Sequence, residues 1–230
     1  MKASSLLKTL TLAACMAVAS AEAKVHLFLL SGQSNMGGLN PAASFTPTVK
    51  KAFAGDTCIV VKSAQGGQPI RRWYKQWKPA KGNSPAATGD LYDKLIQAMV
   101  TAVGDQKPDT ITFVWMQGER DAKEKHGSVY AKSLQGLIDQ LAKDLGRDDI
   151  NFVIGRLSDF GNSPGRNYTD WEPVRKAQVQ VAEASPRGAW VDTDDLNGKN
   201  DALHYDKPGY VELGRRFANA SIQLVKKSTK

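Results

Sequence analysis

Short apolar runs alternate along this chain with longer stretches whose apolar residues recur at helical spacing. That alternation restricts the fold more than any other feature of the sequence. The runs fall at 25–30, 58–62, 110–115, 151–156 and 189–191. Helical patterns follow at 90–103, 128–145 and 171–184, with a last one at 208–225 that has Pro208 near its start. In the first of these, Leu91, Leu95, Ile96, Met99, Val100 and Val103 return to one face of a helix. Strands joined by helices pair in parallel and carry helices on both sides. Strands buried on both faces read as nearly continuous apolar runs, as these do. The pattern therefore predicts an α/β fold, a three-layer α/β/α sandwich around a parallel sheet. No repeat, low-complexity tract or linker interrupts it, so residues 24–230 are expected to form one domain.

Residues 1–23 follow a different logic. Lys2 and Lys8 precede an apolar run at 9–19 that is too short to span a bilayer, and Ala19-Ser20-Ala21 supplies a small-x-small cleavage pattern. This reads as a secretory signal peptide, cut before Glu22 or Lys24, and implies a secreted or periplasmic protein. Leu12-Ala13-Ala14-Cys15 also resembles a bacterial lipobox, but Lys8 leaves little apolar chain ahead of Cys15, which favours export without a lipid anchor. With the leader gone, Cys58 is the only cysteine and no intramolecular disulfide can form.

The formal charge of +8 could draw the chain to acidic polysaccharide, membrane surface or nucleic acid. Its basic residues are scattered, however (Lys50-Lys51, Arg71-Arg72, Lys123, Lys125, Arg215-Arg216, Lys226-Lys227), and no nucleic-acid motif accompanies them. Neither a nucleic-acid partner nor a membrane span is expected. Nothing in the pattern sets an oligomeric state.

Ligands of open parallel sheets bind beyond the carboxyl ends of the strands. Four segments at such places carry chemistry. Gly32-Gln33-Ser34-Asn35 follows the first apolar run, Ser63-Ala64-Gln65-Gly66-Gly67 the second and Trp115-Met116-Gln117-Gly118-Glu119 the third; Asp201-Ala202-Leu203-His204 precedes the last helix. Together they hold a hydroxyl, a glycine-rich turn, a side-chain amide and an imidazole near a carboxylate, which are the parts acyl transfer needs. Ser34 would attack an ester carbonyl, His204 would take its proton and return it to the leaving alcohol, and Asp201 would hold the imidazole. Oxyanion donors could come from the amides of Ser34 and Gly66 or Gly67 and from the side chain of Gln117.

At these residues the chain resembles the SGNH (GDSL-like) hydrolase superfamily, and within it the sialate O-acetylesterase-like group that includes the family-six carbohydrate esterases. That branch carries G-Q-S-N, A-x-G-G, W-x-Q-G-E and D-x-x-H-Y blocks; here they stand in that order as GQSN, AQGG, WMQGE and DALHYD. The resemblance spans residues 25 to about 225. It implies a flavodoxin-like SGNH architecture, the triad Ser34-His204-Asp201, oxyanion positions at Gly66 and Gln117, and removal of O-acetyl groups from carbohydrate such as acetylated xylan, other plant polysaccharide or sialic acid. No metal or cofactor is implied. Gln68 stands where Ser or Thr is common, and Arg120 where a small residue is usual, so the pocket rim is expected to differ from the branch.

Other readings of the same residues stay open. Ser34 could be a helix N-cap or turn serine. Glu119 could support the site from behind or replace Asp201 as the acid of the triad, and Glu119 or Asp121 could bind Arg156 or a loop amide. Gln33, Asn35, Gln68, Arg71 and Trp73 are candidates for the substrate rim, with Tyr74 and Trp77 as further aromatics that either stack on sugar or pack in the core. His26 lies within the first run, where packing is expected, and His126 in a charged loop. A general SGNH lipase or thioesterase is the alternative enzyme, and a non-catalytic exported carbohydrate-binding protein the alternative from another class.

Overall fold

All five apolar runs form strands in the computed structural model, which describes residues 22–83, 85–166, 168–199 and 202–228. They are β1 (Val25–Gly32), β2 (Thr57–Ala64), β3 (Thr110–Met116), β4 (Asn151–Gly155) and β5 (Gly188–Val191). Every pairing is parallel and the order is β2-β1-β3-β4-β5. The expected leader falls almost wholly outside the described residues. Among those residues no helix is long and apolar enough to cross a membrane.

The helices are α1 (Ser34–Gly38), α2 (Phe45–Ala52), α3 (Asp90–Val103), α4 (Glu119–Lys123), α5 (Gly127–Leu145), α6 (Trp171–Glu183) and α7 (Lys207–Ser228). The path from β1 to β2 runs one way across the sheet, and the path from β2 to β3 runs back past β1. Right-handed crossovers therefore put α2 on one face and α3, α5 and α6 on the other. The last helix returns to pack along α2 and over β3 to β5. This is the expected three-layer sandwich. The one helix of two turns or more that the periodicity did not indicate is α2, whose FTPTVKKA has a proline in its first turn and only two buried residues, Phe45 and Val49.

Burial explains why the strands carry so few polar residues. Leu27, Phe28, Leu29 and Leu30 are all 1% exposed or less, and the whole of β3 is buried. Toward α2, Phe28 meets Phe45 edge-on at 5.5 Å. Toward α5, Trp115 meets Trp73 edge-on at 5.1 Å, and the Trp73 indole N–H donates to Ser31 Oγ at 3.0 Å. Trp73 is thus a core residue with its polar edge satisfied inside the protein, not a rim residue.

The sheet reverses its order at β1, and its carboxyl end is the crevice where such folds place ligands. There β1 and β3 come very close. Gly32 has φ +145°, and a Cβ built on it would lie 1.9 Å from the Met116 carbonyl oxygen. Only glycine fits, because both the dihedral and the space exclude a side chain. Gly32→Ala should therefore cost on the order of 3 kcal/mol or more, whereas Gly37→Ala, whose Cβ would meet nothing within 4 Å, should cost far less. Urea unfolding of both variants checks this; equal losses would contradict it.

Candidate active site

Backbone hydrogen bonds lace three strand ends together. The Gln33 N–H donates to Met116 O at 2.9 Å, which joins the turn after β1 to the end of β3. The Gln65 N–H donates to Gly32 O at 3.1 Å, which joins the loop after β2 to the same turn. Ser34 is the first residue of α1 and is partly exposed, with its Oγ 3.5 Å from Gln33 Nε2. Gly66 is exposed beside it, and a Cβ built on Gly66 would lie 3.6 Å from Ser34 Cβ. Lys62, within β2, holds α1 from its far end: its ammonium donates to Gly37 O at 2.9 Å and Leu39 O at 2.7 Å. Burial lowers its pKa. A lysine closing the apolar run at 58–62 was the one sequence signal of this role.

His204 comes from the loop ahead of α7. An antiparallel bridge between Asn197 and Tyr205 closes that loop, and the Gly198 N–H donates to His204 O at 3.1 Å. Asn35 ties the loop to the serine turn. It is 2% exposed, and its amide nitrogen lies 3.1 Å from both Leu203 O and Glu119 Oε1, while its oxygen is 3.3 Å from the Tyr210 hydroxyl. Asp201, the expected acid of the triad, lies outside the described residues.

Glu119, at the start of α4, is buried, and its Oε2 has no hydrogen-bond partner. Burial pushes its carboxyl pKa above the ordinary value; its own backbone amide, the Asn35 amide and the His204 imidazole pull the other way. The carboxyl is thus close enough to His204 to be felt electrostatically. Gln117 is wholly buried. Its amide nitrogen lies 2.6 Å from Asp121 Oδ2, 3.1 Å from Gln68 O and 3.3 Å from Gln33 Oε1, and the Tyr130 hydroxyl lies 3.0 Å from its oxygen. An amide with two N–H groups aimed at three internal acceptors has none left for an oxyanion, so Gln117 stands beneath the site and not facing it.

The expected rim is corrected in the same way. Gln33, Asn35 and Trp73 are 3%, 2% and 1% exposed, because distant segments supply partners for their polar ends. Gln68 and Arg71 are partly exposed. The Gln68 side chain braces the glycine turn, donating to Gly66 O at 3.1 Å and accepting from Arg72 at 2.6 Å. Arg71 pairs with Glu124, which also holds Arg120, and its guanidinium lies over Trp77. Arg156 pairs with Asp192 and Asp194 and not with Glu119 or Asp121. His26 is a core histidine between Thr110 and Asp56.

A raised carboxyl pKa has a measurable consequence for Glu119. The folded protein holds that proton more tightly than the unfolded chain does. The group's contribution to stability is therefore fully present below the ordinary carboxylate range, about pH 4, and is lost as pH rises through the raised value. Glu119→Gln keeps the shape and stays neutral. The variant should melt above the wild type at pH 8, with the gain vanishing toward pH 4. A lower melting temperature at pH 8 would show instead that the carboxylate stabilises the fold.

Comparison with known proteins gives a family and a shared fold. The family model described as carbohydrate esterase, sialic acid-specific acetylesterase matches residues 37–223, beginning just after the Ser34 turn. A structure from Arabidopsis thaliana superposes with a TM-score of 0.66 at 19% identity, covering 86% of this chain and 98% of its own. A carbohydrate acetylesterase from Xanthomonas citri gives 0.63 at 17% identity, covering 89% of this chain, which spans 56% of that protein. A carbohydrate acetylesterase from Sinorhizobium meliloti gives 0.57 at 12%, covering 87% and 99%. At these identities the structures show the shared fold. No curated protein matches the sequence. By the family match over most of its length, the chain belongs to the carbohydrate esterase family of sialic acid-specific acetylesterases.

Proposed function

We propose that the protein is an exported serine esterase, with residues 24–230 as a single catalytic domain, that removes O-acetyl groups from carbohydrate. The observation that carries this reading is the convergence at Ser34. An exposed glycine lies against its side chain, and one buried amide, Asn35, bonds both the Glu119 turn and the loop bearing His204. A serine that only capped a turn would need neither.

In the reaction, Ser34 Oγ attacks the acetyl carbonyl carbon as His204 takes the hydroxyl proton. The carbonyl oxygen becomes an oxyanion beside the Ser34 and Gly66 or Gly67 backbone amides, which are fixed before the charge develops. Collapse breaks the ester C–O bond, and the imidazolium returns its proton to the departing sugar oxygen. Water, giving a proton to His204, then attacks the acetyl-serine carbonyl; collapse breaks the bond to Ser34 Oγ, the imidazolium returns its proton to that oxygen, and acetic acid leaves and ionises to acetate. Asp201 orients the imidazole, and Glu119 supports the same loop from behind. The partly exposed Ser34 and exposed Gly66 suit acetyl groups on a bulky or polymeric sugar better than a long acyl chain needing a deep apolar slot.

Acetate release should be measured across acetylated xylan, mannan, pectin and O-acetylated sialic acid, with a short aryl acetate as reference. Release from at least one sugar is expected, and Ser34→Ala should lower kcat/KM by on the order of 10⁴ without changing the melting temperature. Activity confined to the aryl ester would favour a general esterase. A Ser34→Ala variant that kept more than a tenth of the rate would remove Ser34 from the mechanism.

A further inference from the structure

Asp121 plays no part in the chemistry above, yet it is wholly buried where the three strand-end segments meet. It lies on α4, after β3. Its Oδ2 accepts the Ile70 N–H at 2.8 Å and a Gln117 amide N–H at 2.6 Å. Ile70 follows the glycine turn at the end of β2. Gln117 reaches the same loop at Gln68 O and the serine turn at Gln33 Oε1, and Gln33 in turn touches Ser34 Oγ. One carboxylate oxygen thus gathers both sides of the crevice.

From this geometry we propose that Asp121, as its carboxylate, is the positioning residue that holds the glycine loop at 66–70 against the Ser34 turn. The proposal rests on the esterase reading for its effect on rate, but not for its effect on the loop. A charged acceptor strengthens both hydrogen bonds. Protonation would weaken them, and a proton has somewhere to go, since Oδ1 is buried without a partner. Burial pushes the pKa of this carboxyl up to about 7, with the Ile70 and Gln117 hydrogen bonds opposing. The charged and titratable groups around it are Glu119 at the start of α4, Glu124 just past its end, Arg71 after the glycine loop and the Tyr130 hydroxyl on α5. Glu124 raises the value further and Arg71 lowers it. Loop grip is therefore firm above neutrality and slackens as the pH falls below it.

Two measurements test this. In the first, kcat/KM for an aryl acetate is compared between wild type and Asp121→Asn from pH 5 to 9. The neutral amide resembles the protonated acid. The wild type should lead by about 10- to 100-fold at pH 9, the scale of a small misplacement of catalytic groups, and the ratio should shrink to within about threefold at pH 5 (an order-of-magnitude expectation). Any titration that the substitution leaves unchanged cancels in the ratio. A ratio independent of pH would assign Asp121 a merely structural role and overturn the proposal. The second needs neither the variant nor activity: amide hydrogen exchange of wild type at pH 5.5 and 8, corrected for intrinsic rates and referenced to β1. Protection of the Ile70 amide, which Asp121 accepts, should fall at the lower pH. Protection unchanged between the two would overturn the proposal, whereas a wild type inactive on every ester would sink only the esterase reading.

Discussion

The contact between Gly32 and the Met116 carbonyl governs the rest of the site. Two parallel strands approach there more closely than any side chain permits, and the Gln33 N–H then closes onto that same carbonyl. The strand cannot continue past this point, so the chain turns into α1 with Ser34 at its first position. Because β1 lies between β2 and β3, the turn has the glycine loop on one side and the Gln117–Glu119 turn on the other. Sheet topology brings the segments together, and the missing side chain at Gly32 sets their distance.

Beneath that crevice lies a buried polar layer that does not serve stability in any simple way. Gln33, Asn35, Gln117, Glu119 and Asp121 are each 3% exposed or less, and two of them are carboxyls with an unpartnered oxygen. Apolar residues of similar volume would fill the same space without desolvation cost. What the layer supplies is directionality: each amide bonds to more than one segment, so none of the strand-end loops it joins can shift without breaking hydrogen bonds in a low-dielectric setting. The raised pKa values of Glu119 and Asp121 are the cost of that arrangement expressed in protons.

Much of this was legible in the sequence, for identifiable reasons. Strand and helix periods depend on local spacing, so five strands and the four long helices could be read within a few residues. Strand ends could be read too, because glycine and serine interrupt apolar runs there. Burial of amides could not. Asn35 looks like a rim residue until Leu203 and Tyr210, both more than 160 positions away, are seen to bond to it. Trp73 and Gln117 misled in the same way: each has a polar edge that suits a binding site, and each is satisfied internally. The α2 helix escaped notice because its stability comes from packing Phe45 and Val49 under α7 and not from propensity. Asp121 offered only an ambiguity between structural uses, and the loop-amide alternative is the one the fold adopts, at Ile70.

On the proposed esterase function, Ser34 is an activated nucleophile and not a turn residue, presented by the surrounding amides and carboxyls. Covalent labelling asks this directly. The protein is treated with a fluorophosphonate, digested, and mapped by mass spectrometry. A single adduct on Ser34 is expected, formed rapidly and abolished when the protein is unfolded beforehand. Absence of an adduct, or an adduct on another residue with Ser34 unmodified, would contradict it.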